Sequence, residues 1–180
     1  MERDSTILIS DLQQYQSAAC QRLLTTYGPM VFRMVQRIVT HREDAEEVYQ
    51  DVFVKALRGI KSYNPRQASL ATWLSHIAYH ESLNFVRGRK PTLLYIEDND
   101  LGTDSMAASD DAPQDEQTIQ QLEQALAMLP PHEQAIVSMF YYDNMSLADM
   151  AYVTGSNPST IGSQLSRIRK KLYRIIKTMQ

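Results

Sequence analysis

The sequence predicts an all-α protein of two small helical domains: an N-terminal three- or four-helix bundle and a C-terminal helix-turn-helix domain. Apolar residues recur at three- and four-residue steps in both halves, and no stretch shows the period-two alternation of a strand. Between the halves, residues 91–118 carry 8 acidic and no basic residues. Such a segment buries too little apolar surface to offset its ordering entropy. We therefore place the domains at residues 1–90 and 119–180, joined by a flexible acidic linker at 91–118.

The first half contains three predicted helices. Apolar spacing predicts helices over 20–40 and 43–60, and acidic residues crowd the first turn of the second, where the helix dipole favours them. Pro65 disfavours a helical residue before it and so separates this helix from the next. The third helix is predicted over residues 70–87, and we expect Gly88 to end it.

The second half contains four shorter predicted helices, over residues 119–129, 132–142, 146–153 and 158–178. Ser146 and Asp149 have the spacing of a capping box at the start of the third. Asn157 is the expected N-cap of the fourth, with Pro158 at its first position. Gly155 supplies the tight turn between them. This arrangement is typical of a helix-turn-helix.

Charge and cysteine content narrow the classes of protein. The 180-residue chain has a net charge of -3, but residues 1–90 carry +3, residues 91–118 carry -8 and residues 119–180 carry +2. Both helical halves therefore carry a net positive charge, which favours binding to the phosphate groups of nucleic acid. The single cysteine, Cys20, excludes an intramolecular disulfide and suits a reducing cytoplasm. Neither a secretory signal nor an apolar run of membrane-spanning length is found, so we expect a cytoplasmic protein without membrane insertion.

The last predicted helix has the composition of a DNA-reading helix. It carries six basic and no acidic residues, and an apolar stripe from Ile161 to Ile175 packs it on its domain. Its first turns would face base edges in a major groove, and its later cations would face phosphates. The alternative is a solvated basic helix that complements its own dipole. The preceding capped helix and the turn at Gly155 favour DNA.

Motifs in both halves resemble one family, the extracytoplasmic-function group of sigma-70 factors. In the first half, Asp44-Ala45-Glu46-Glu47-Val48-Tyr49-Gln50-Asp51-Val52-Phe53 resembles the helix that binds core RNA polymerase. Tyr63-Asn64-Pro65 followed by Ser69-Leu70-Ala71-Thr72-Trp73-Leu74 resembles the promoter-melting segment. In the second half, Leu129-Pro130 with Glu133-Gln134, Ser146-Leu147-Ala148-Asp149-Met150-Ala151 and Ser159-Thr160-Ile161 resemble the domain that reads the upstream promoter element.

The resemblance implies a sigma factor that binds core RNA polymerase, recognises promoter DNA and promotes its melting. The implied core-binding residues are Asp44, Glu47, Gln50 and Asp51. The implied residues for promoter melting and the downstream element are Asn64, Arg66, Ser69, Asn84, Arg87, Arg89 and Lys90. The implied residues for the upstream element are Ser159, Thr160, Ser163, Gln164, Ser166, Arg167, Lys170 and Lys171. An anti-sigma factor is a further expected partner.

Several positions depart from the family pattern. His76, Tyr79 and His80 stand along the melting helix where members often have basic residues or asparagine. Gly162 and Gln164 stand in the reading helix where basic residues are frequent. Fewer fixed cations should weaken phosphate binding and its salt dependence. We expect Trp73, beside apolar neighbours on its helix, to belong to the core rather than to stack on a base.

No enzymatic chemistry is indicated. The chain has no glycine-rich phosphate loop or nucleophile elbow, and we expect no catalytic residue and no cofactor. His76 and His80 lie one helical turn apart, but without a third ligand at suitable spacing we expect no metal site. Two alternatives stay open: a helix-turn-helix regulator acting without core polymerase, and a helical protein–protein interaction module.

Overall fold

The structure, a computed structural model, describes residues 2–89 and 116–179, with side chains over 7–88 and 119–179. The linker predicted at residues 91–118 lies mostly outside these residues. The helices of the first half are α1 Glu2–Gln13, α2 Ser17–Ile38, α3 Arg42–Gly59 and α4 Leu70–Arg89, with a 3-10 turn at Ile60–Ser62. The helices of the second half are α5 Glu116–Ala127, α6 Pro131–Tyr141, α7 Leu147–Thr154 and α8 Pro158–Met179.

The all-α prediction with two helical domains is confirmed, and the described residues contain no strand. α2, α3 and α4 pack on one another in the first half, and α8 packs on α5, α6 and α7 in the second. α4 also packs along α7, and α2 contacts α6. The buried side chains of both halves therefore form one continuous hydrophobic cluster.

Three details of the helix prediction were wrong. α1 was not predicted, although Leu8 and Leu12, four residues apart, are both buried on its inner side. α5 begins at Glu116, three residues before the predicted start at Ile119. Gly88 does not end α4, which continues to Arg89. A glycine ends a helix by adopting a left-handed conformation, and Gly88 lacks the positive φ that this requires.

No helix within the described part of the chain combines the length and the apolar character needed to span a bilayer.

Candidate nucleic-acid and protein interfaces

The outer face of α3 is polar and accessible. Glu47, Gln50 and Asp51 are exposed, whereas Asp44, in the first turn, is half-buried. The opposite face holds α3 on its domain through buried Val48 and Val52. Three of the four predicted core-binding residues thus lie on a surface that a partner can reach.

This face also contains a residue that the sequence reasoning missed. The Val54 side chain is 45% exposed, and it lies three and four residues after Asp51 and Gln50, on the same side of the helix. An apolar centre with a polar surround is the usual anatomy of a protein interface. Val54 falls outside the buried stripe of α3, and that displacement was the available signal.

The loop between α3 and α4 is shaped by its own hydrogen bonds. The Asn64 Oδ1 atom accepts a hydrogen bond from the Arg66 amide at 3.0 Å. The Ser69 Oγ atom accepts one from the Thr72 amide at 3.1 Å, which caps the first turn of α4. Asn64, Arg66 and Ser69 are all exposed. The loop therefore presents polar side chains from a fixed backbone.

The aromatic residues beside this loop face inward. The rings of Tyr63 and Trp73 lie 5.1 Å apart, and the Tyr63 hydroxyl donates to the Ala68 carbonyl at 3.0 Å. Trp73 is half-buried and packs against the core cluster. The prediction that Trp73 belongs to the core is confirmed.

The far end of α4 carries Asn84, Arg87 and Arg89, three more of the residues predicted for promoter melting. Asn84 and Arg87 are exposed. The side chain of Arg89 and the whole of Lys90 lie outside the described residues. The roles of all four residues stay predictions. The accessible part of this set thus lies at the two ends of α4, and the middle of the helix is covered.

The middle of α4 is covered by α7. The Thr72 hydroxyl donates to Asp149 Oδ1 at 3.2 Å. His76 Nδ1 lies 3.1 Å from the carbonyl oxygens of both Tyr152 and Val153, at the end of α7. The last carbonyls of a helix have no partner within it, so a donor from another element is stabilising there. We call this contact between α4 and α7, together with its neighbour between α2 and the segment after α6, the seam.

An ion pair completes the seam. The Arg37 guanidinium, on α2, lies 2.7 Å from the Asp143 carboxylate, just after α6. The two side chains are 23% and 17% exposed. The Arg37 guanidinium also lies over the ring of Tyr142, at 5.6 Å from its centroid. Because the pair is partly buried, dissolved salt screens it less than it screens a pair on the open surface.

His76 and His80 lie side by side on α4 without a third candidate metal ligand among the described residues. Their rings lie 4.4 Å apart, and the Nδ1 atom of His76 is hydrogen-bonded to carbonyl oxygens at the end of α7. The described residues contain no group of three or more His, Cys, Asp or Glu able to hold a metal ion. Burial, followed by the neighbouring His76, lowers the pKa of His80. Burial likewise lowers the pKa of His132 at the start of α6.

The helix-turn-helix forms through the predicted local signals. The Ser146 Oγ atom accepts from the Asp149 amide at 3.1 Å and caps α7. Gly155 follows α7 with φ of 72°, the left-handed conformation that glycine adopts without steric cost. Asn157 Oδ1 accepts from the Thr160 amide at 2.8 Å and caps α8. The two caps and the glycine turn therefore fix the orientation of α8 relative to α7.

One face of α8 anchors the helix and the other remains accessible. Ile161, Leu165 and Ile168 are buried. The exposed members of the predicted reading set are Ser159, Ser163, Ser166 and Arg167, and the half-buried members are Thr160, Gln164, Lys170 and Lys171. α8 contains no acidic residue. Its accessible face therefore offers hydroxyls at the start of the helix and cations farther along.

Two cations of α8 are engaged by α6. The Lys171 ammonium lies 2.9 Å from the Glu133 carboxylate. The Arg169 Nε atom donates to the Tyr141 hydroxyl at 2.8 Å, and its guanidinium lies 5.8 Å from the centre of the Phe140 ring. Lys171 is thus shared between packing and the predicted phosphate contact.

Sequence-family models assign both halves. Residues 23–92 match the model of sigma-70 region 2, and residues 119–172 match that of sigma-70 region 4. Together the two matches cover more than two thirds of the chain. The chain belongs to the extracytoplasmic-function sigma factors of the sigma-70 family.

Individual relatives of this sigma factor are distant in sequence. It is 27% identical to the ECF RNA polymerase sigma-E factor of Haemophilus influenzae, over 92% of this chain and 91% of that protein. It is 26% identical to the ECF RNA polymerase sigma factor SigE of Mycolicibacterium smegmatis, over 83% of this chain. The match spans 58% of that longer relative.

Solved structures share the fold of this sigma factor. CnrH in complex with the cytosolic domain of CnrY matches with a TM-score of 0.68 at 17% identity, over 98% of this chain and 99% of that chain. The sigma factor RpoE of Bartonella quintana, in complex with the anti-sigma factor NepR, matches with a TM-score of 0.61 at 24% identity. That match covers 89% of this chain and 97% of the other.

Proposed function

We propose that this sigma factor divides its work among three surfaces: α3 binds core RNA polymerase, the start of α4 and its preceding loop hold melted promoter DNA, and α8 reads the upstream duplex. The proposal rests on two features found in one chain. The part that matches region 2 has a polar, exposed face on α3, and the part that matches region 4 ends in α8, a helix without acidic residues.

The composition of α3 supports the polymerase contact. Glu47, Gln50 and Asp51 are exposed on one side of the helix, around the exposed Val54. Carboxylates on such a rim speed and orient association with a basic partner, while an apolar centre supplies area that is dehydrated on binding. The binding surface is therefore an acidic rim around Val54.

The loop before α4 supports capture of a single strand. Melting costs a few kcal/mol per unstacked step, so a protein that melts DNA must compensate through contacts to the released strand. Asn64 and Ser69 offer polar atoms from a loop held by internal hydrogen bonds, and the exposed Arg66 offers a phosphate contact. Asn84 and Arg87 would follow the DNA backbone from the far end of α4.

The helix-turn-helix supports reading of the upstream element. Ser159, Thr160 and Ser163 lie in the first two turns of α8, where a recognition helix meets base edges. Arg167, Lys170 and Lys171 lie farther along, where phosphate contacts fix register. Ser166 and Gln164 complete the reading set.

Location and regulation follow from the role. A factor that acts on promoter DNA and polymerase works in the cytoplasm.

We further propose an anti-sigma partner, because NepR is described as an anti-sigma factor bound to a sigma factor of this fold. Co-purification with a tagged copy of the chain from its own cells, followed by mass spectrometry, tests for that partner. Recovery of core polymerase subunits and no other stoichiometric protein would count against it.

The α3 assignment is tested by titrating core polymerase with fluorescently labelled sigma factor. We expect Gln50→Ala to weaken core binding several-fold and Asp51→Arg to weaken it by at least tenfold, because the second change reverses a charge. The matched control is Glu123→Arg, the same kind of charge reversal at an exposed position of α5. Equal core affinity of wild type and both α3 variants would contradict the assignment, and so would an equal loss in the control.

A further inference from the structure

Three hydroxyl groups at the start of α8 have all turned their protons inward. The Ser159 hydroxyl donates to Asn157 Oδ1 at 2.6 Å, and the Thr160 hydroxyl donates to the same oxygen at 2.9 Å. The Ser163 hydroxyl donates to the Ser159 carbonyl oxygen at 3.0 Å. Each hydroxyl has a single proton, so none of the three has one left for the groove.

Asn157 sets this pattern for two of the three hydroxyls. Its side-chain atom facing α8 accepts from the Thr160 backbone amide at 2.8 Å, which fixes that atom as the oxygen. An amide oxygen only accepts, so the nearby Ser159 and Thr160 hydroxyls can bond to it only as donors. The N-cap of the helix therefore also determines the direction of two side-chain hydrogen bonds.

Serine and threonine ordinarily contact any base, because a free hydroxyl rotates to donate or to accept. Here rotation toward an acceptor would break a hydrogen bond that already exists. Ser159 and Ser163 are exposed and Thr160 is half-buried, so the lone pairs of all three oxygens are what α8 offers to solvent or DNA. We call these three oxygens the acceptor cluster.

We propose that the acceptor cluster makes α8 select amino bases, adenine or cytosine, on the strand that it contacts, and that Asn157 is the positioning residue for this selectivity. The inference rests on the proposed reading of duplex DNA by α8. In the major groove, adenine N6 and cytosine N4 are donors, whereas guanine O6 and N7 and thymine O4 are acceptors. The acceptor cluster can accept a hydrogen bond from the amino group of adenine, which lies beside its acceptor N7, or from that of cytosine. On guanine and thymine it meets only acceptors.

This selectivity has a signature that ordinary base recognition lacks. Each Watson–Crick pair carries an amino base on one strand and a keto base on the other. Exchanging A·T for C·G keeps the amino base on the contacted strand, whereas exchanging A·T for T·A or G·C moves it to the opposite strand. At a contacted pair, we expect the first exchange to be tolerated. We expect the other two to cost roughly three- to tenfold in affinity, the effect of one hydrogen bond.

The experiment selects binding sites from a duplex library randomised in the upstream promoter region, using holoenzyme assembled from core polymerase and the full chain. Wild type should enrich adenine or cytosine on one strand at the contacted pairs. Ser159→Ala, Thr160→Val and Ser163→Ala should each relax the preference at one pair. Enrichment of guanine or thymine on the contacted strand would overturn the proposal.

Two variants of Asn157 isolate its positioning role. Asn157→Gly removes the oxygen and frees two hydroxyl protons, while glycine remains an adequate N-cap. The preference at the Ser159 and Thr160 pairs should fall at least threefold. Asn157→Asp keeps an acceptor, so base preference should persist even though the added charge weakens all DNA binding alike. An unchanged base preference in Asn157→Gly would overturn the role of Asn157, because a purely structural cap changes affinity and leaves preference alone.

Failure of the underlying function has a different outcome. If holoenzyme forms normally but enriches no upstream sequence, α8 does not read duplex DNA. The proposed function of α8 then fails, and the inference fails with it. If a sequence is enriched without the amino–keto pattern, reading of duplex DNA by α8 stands and only the acceptor cluster is refuted.

Discussion

α4 and α8 are the two helices proposed to meet promoter DNA, and they use their polar side chains in opposite ways. On α4, Thr72 and His76 bond across the seam to α7. On α8, Ser159 and Thr160 bond to Asn157, immediately before the same helix. Thr72 and His76 of α4 thus depend on the other half of the molecule, whereas Ser159 and Thr160 of α8 depend only on the cap of their own helix.

The hydrogen bonds of the two helices therefore persist under different conditions. The hydroxyl orientation at α8 is local, so it persists wherever the helix-turn-helix moves. The seam on α4 exists only while α7 lies against it. Side-chain changes at the seam should therefore alter the contact between the halves, and changes within α8 should not. Three experiments test the contact between the two halves, in order of decreasing effect.

Truncation in the shared core should have the largest effect. Leu74, on α4, is fully buried. Leu74→Ala should reduce the free energy of unfolding by about 2–5 kcal/mol, measured by urea denaturation. Because the core cluster is continuous between the halves, hydrogen exchange should rise in α7 as well as in α4. The control is Leu24→Ala, at a 42% exposed position on α2. Faster exchange in α4 alone would show that the two halves unfold independently.

Removal of the seam ion pair should have an intermediate effect. Arg37→Ala leaves the Asp143 carboxylate without its partner in a partly buried site, and should cost about 1–3 kcal/mol. The matched control is Arg42→Ala, which breaks the Arg42–Glu46 pair on the surface of α3 and should cost about 0–0.5 kcal/mol. Equal costs by urea denaturation would mean that the seam pair contributes no more than a solvated one.

Acidification should have the smallest effect, and its sign follows from His80 and His132. Burial lowers the pKa of both side chains in the folded chain, so the unfolded chain binds protons more readily. Stability should therefore be constant at neutral pH and fall as the pH drops below about 6.5, the ordinary histidine value. The melting temperature of His80→Gln should fall less between pH 7.5 and 5.5 than that of the wild type. The same change at exposed His41 is the control. If the melting temperatures of all three proteins depended on pH in the same way, protonation of His80 would not be a cause of the loss of stability.

Local signals predicted much of the molecule. The caps at Ser146 and Asn157 and the turn at Gly155 depend on neighbouring residues, and the sequence predicts all three correctly. The exposed positions of Glu47, Gln50 and Asp51 also follow from the periodicity of α3. By contrast, the seam joins Arg37 to Asp143 and Thr72 to Asp149, residues far apart in sequence. Such pairs leave no periodic trace in a single sequence, so the packing of α4 on α7 was not predicted.

The site residues divide along the same line. The direction of the hydroxyl protons in the acceptor cluster depends on rotamers that a sequence does not specify, although Asn157 as the cap was predictable. Val54 was overlooked because one apolar residue outside the buried stripe has little weight beside a clear helical pattern. Its meaning depends on its exposure beside Gln50 and Asp51.

Promoter-dependent transcription tests the central claim most directly. Core polymerase is combined with the full chain and genomic DNA fragments, and the 5′ ends of the transcripts are sequenced, with core polymerase alone as the control. The chain should produce discrete start sites that share an upstream and a downstream element at constant spacing. Transcripts no different from those of core alone, despite stoichiometric binding of the chain to core, would contradict its role as a promoter-specificity factor.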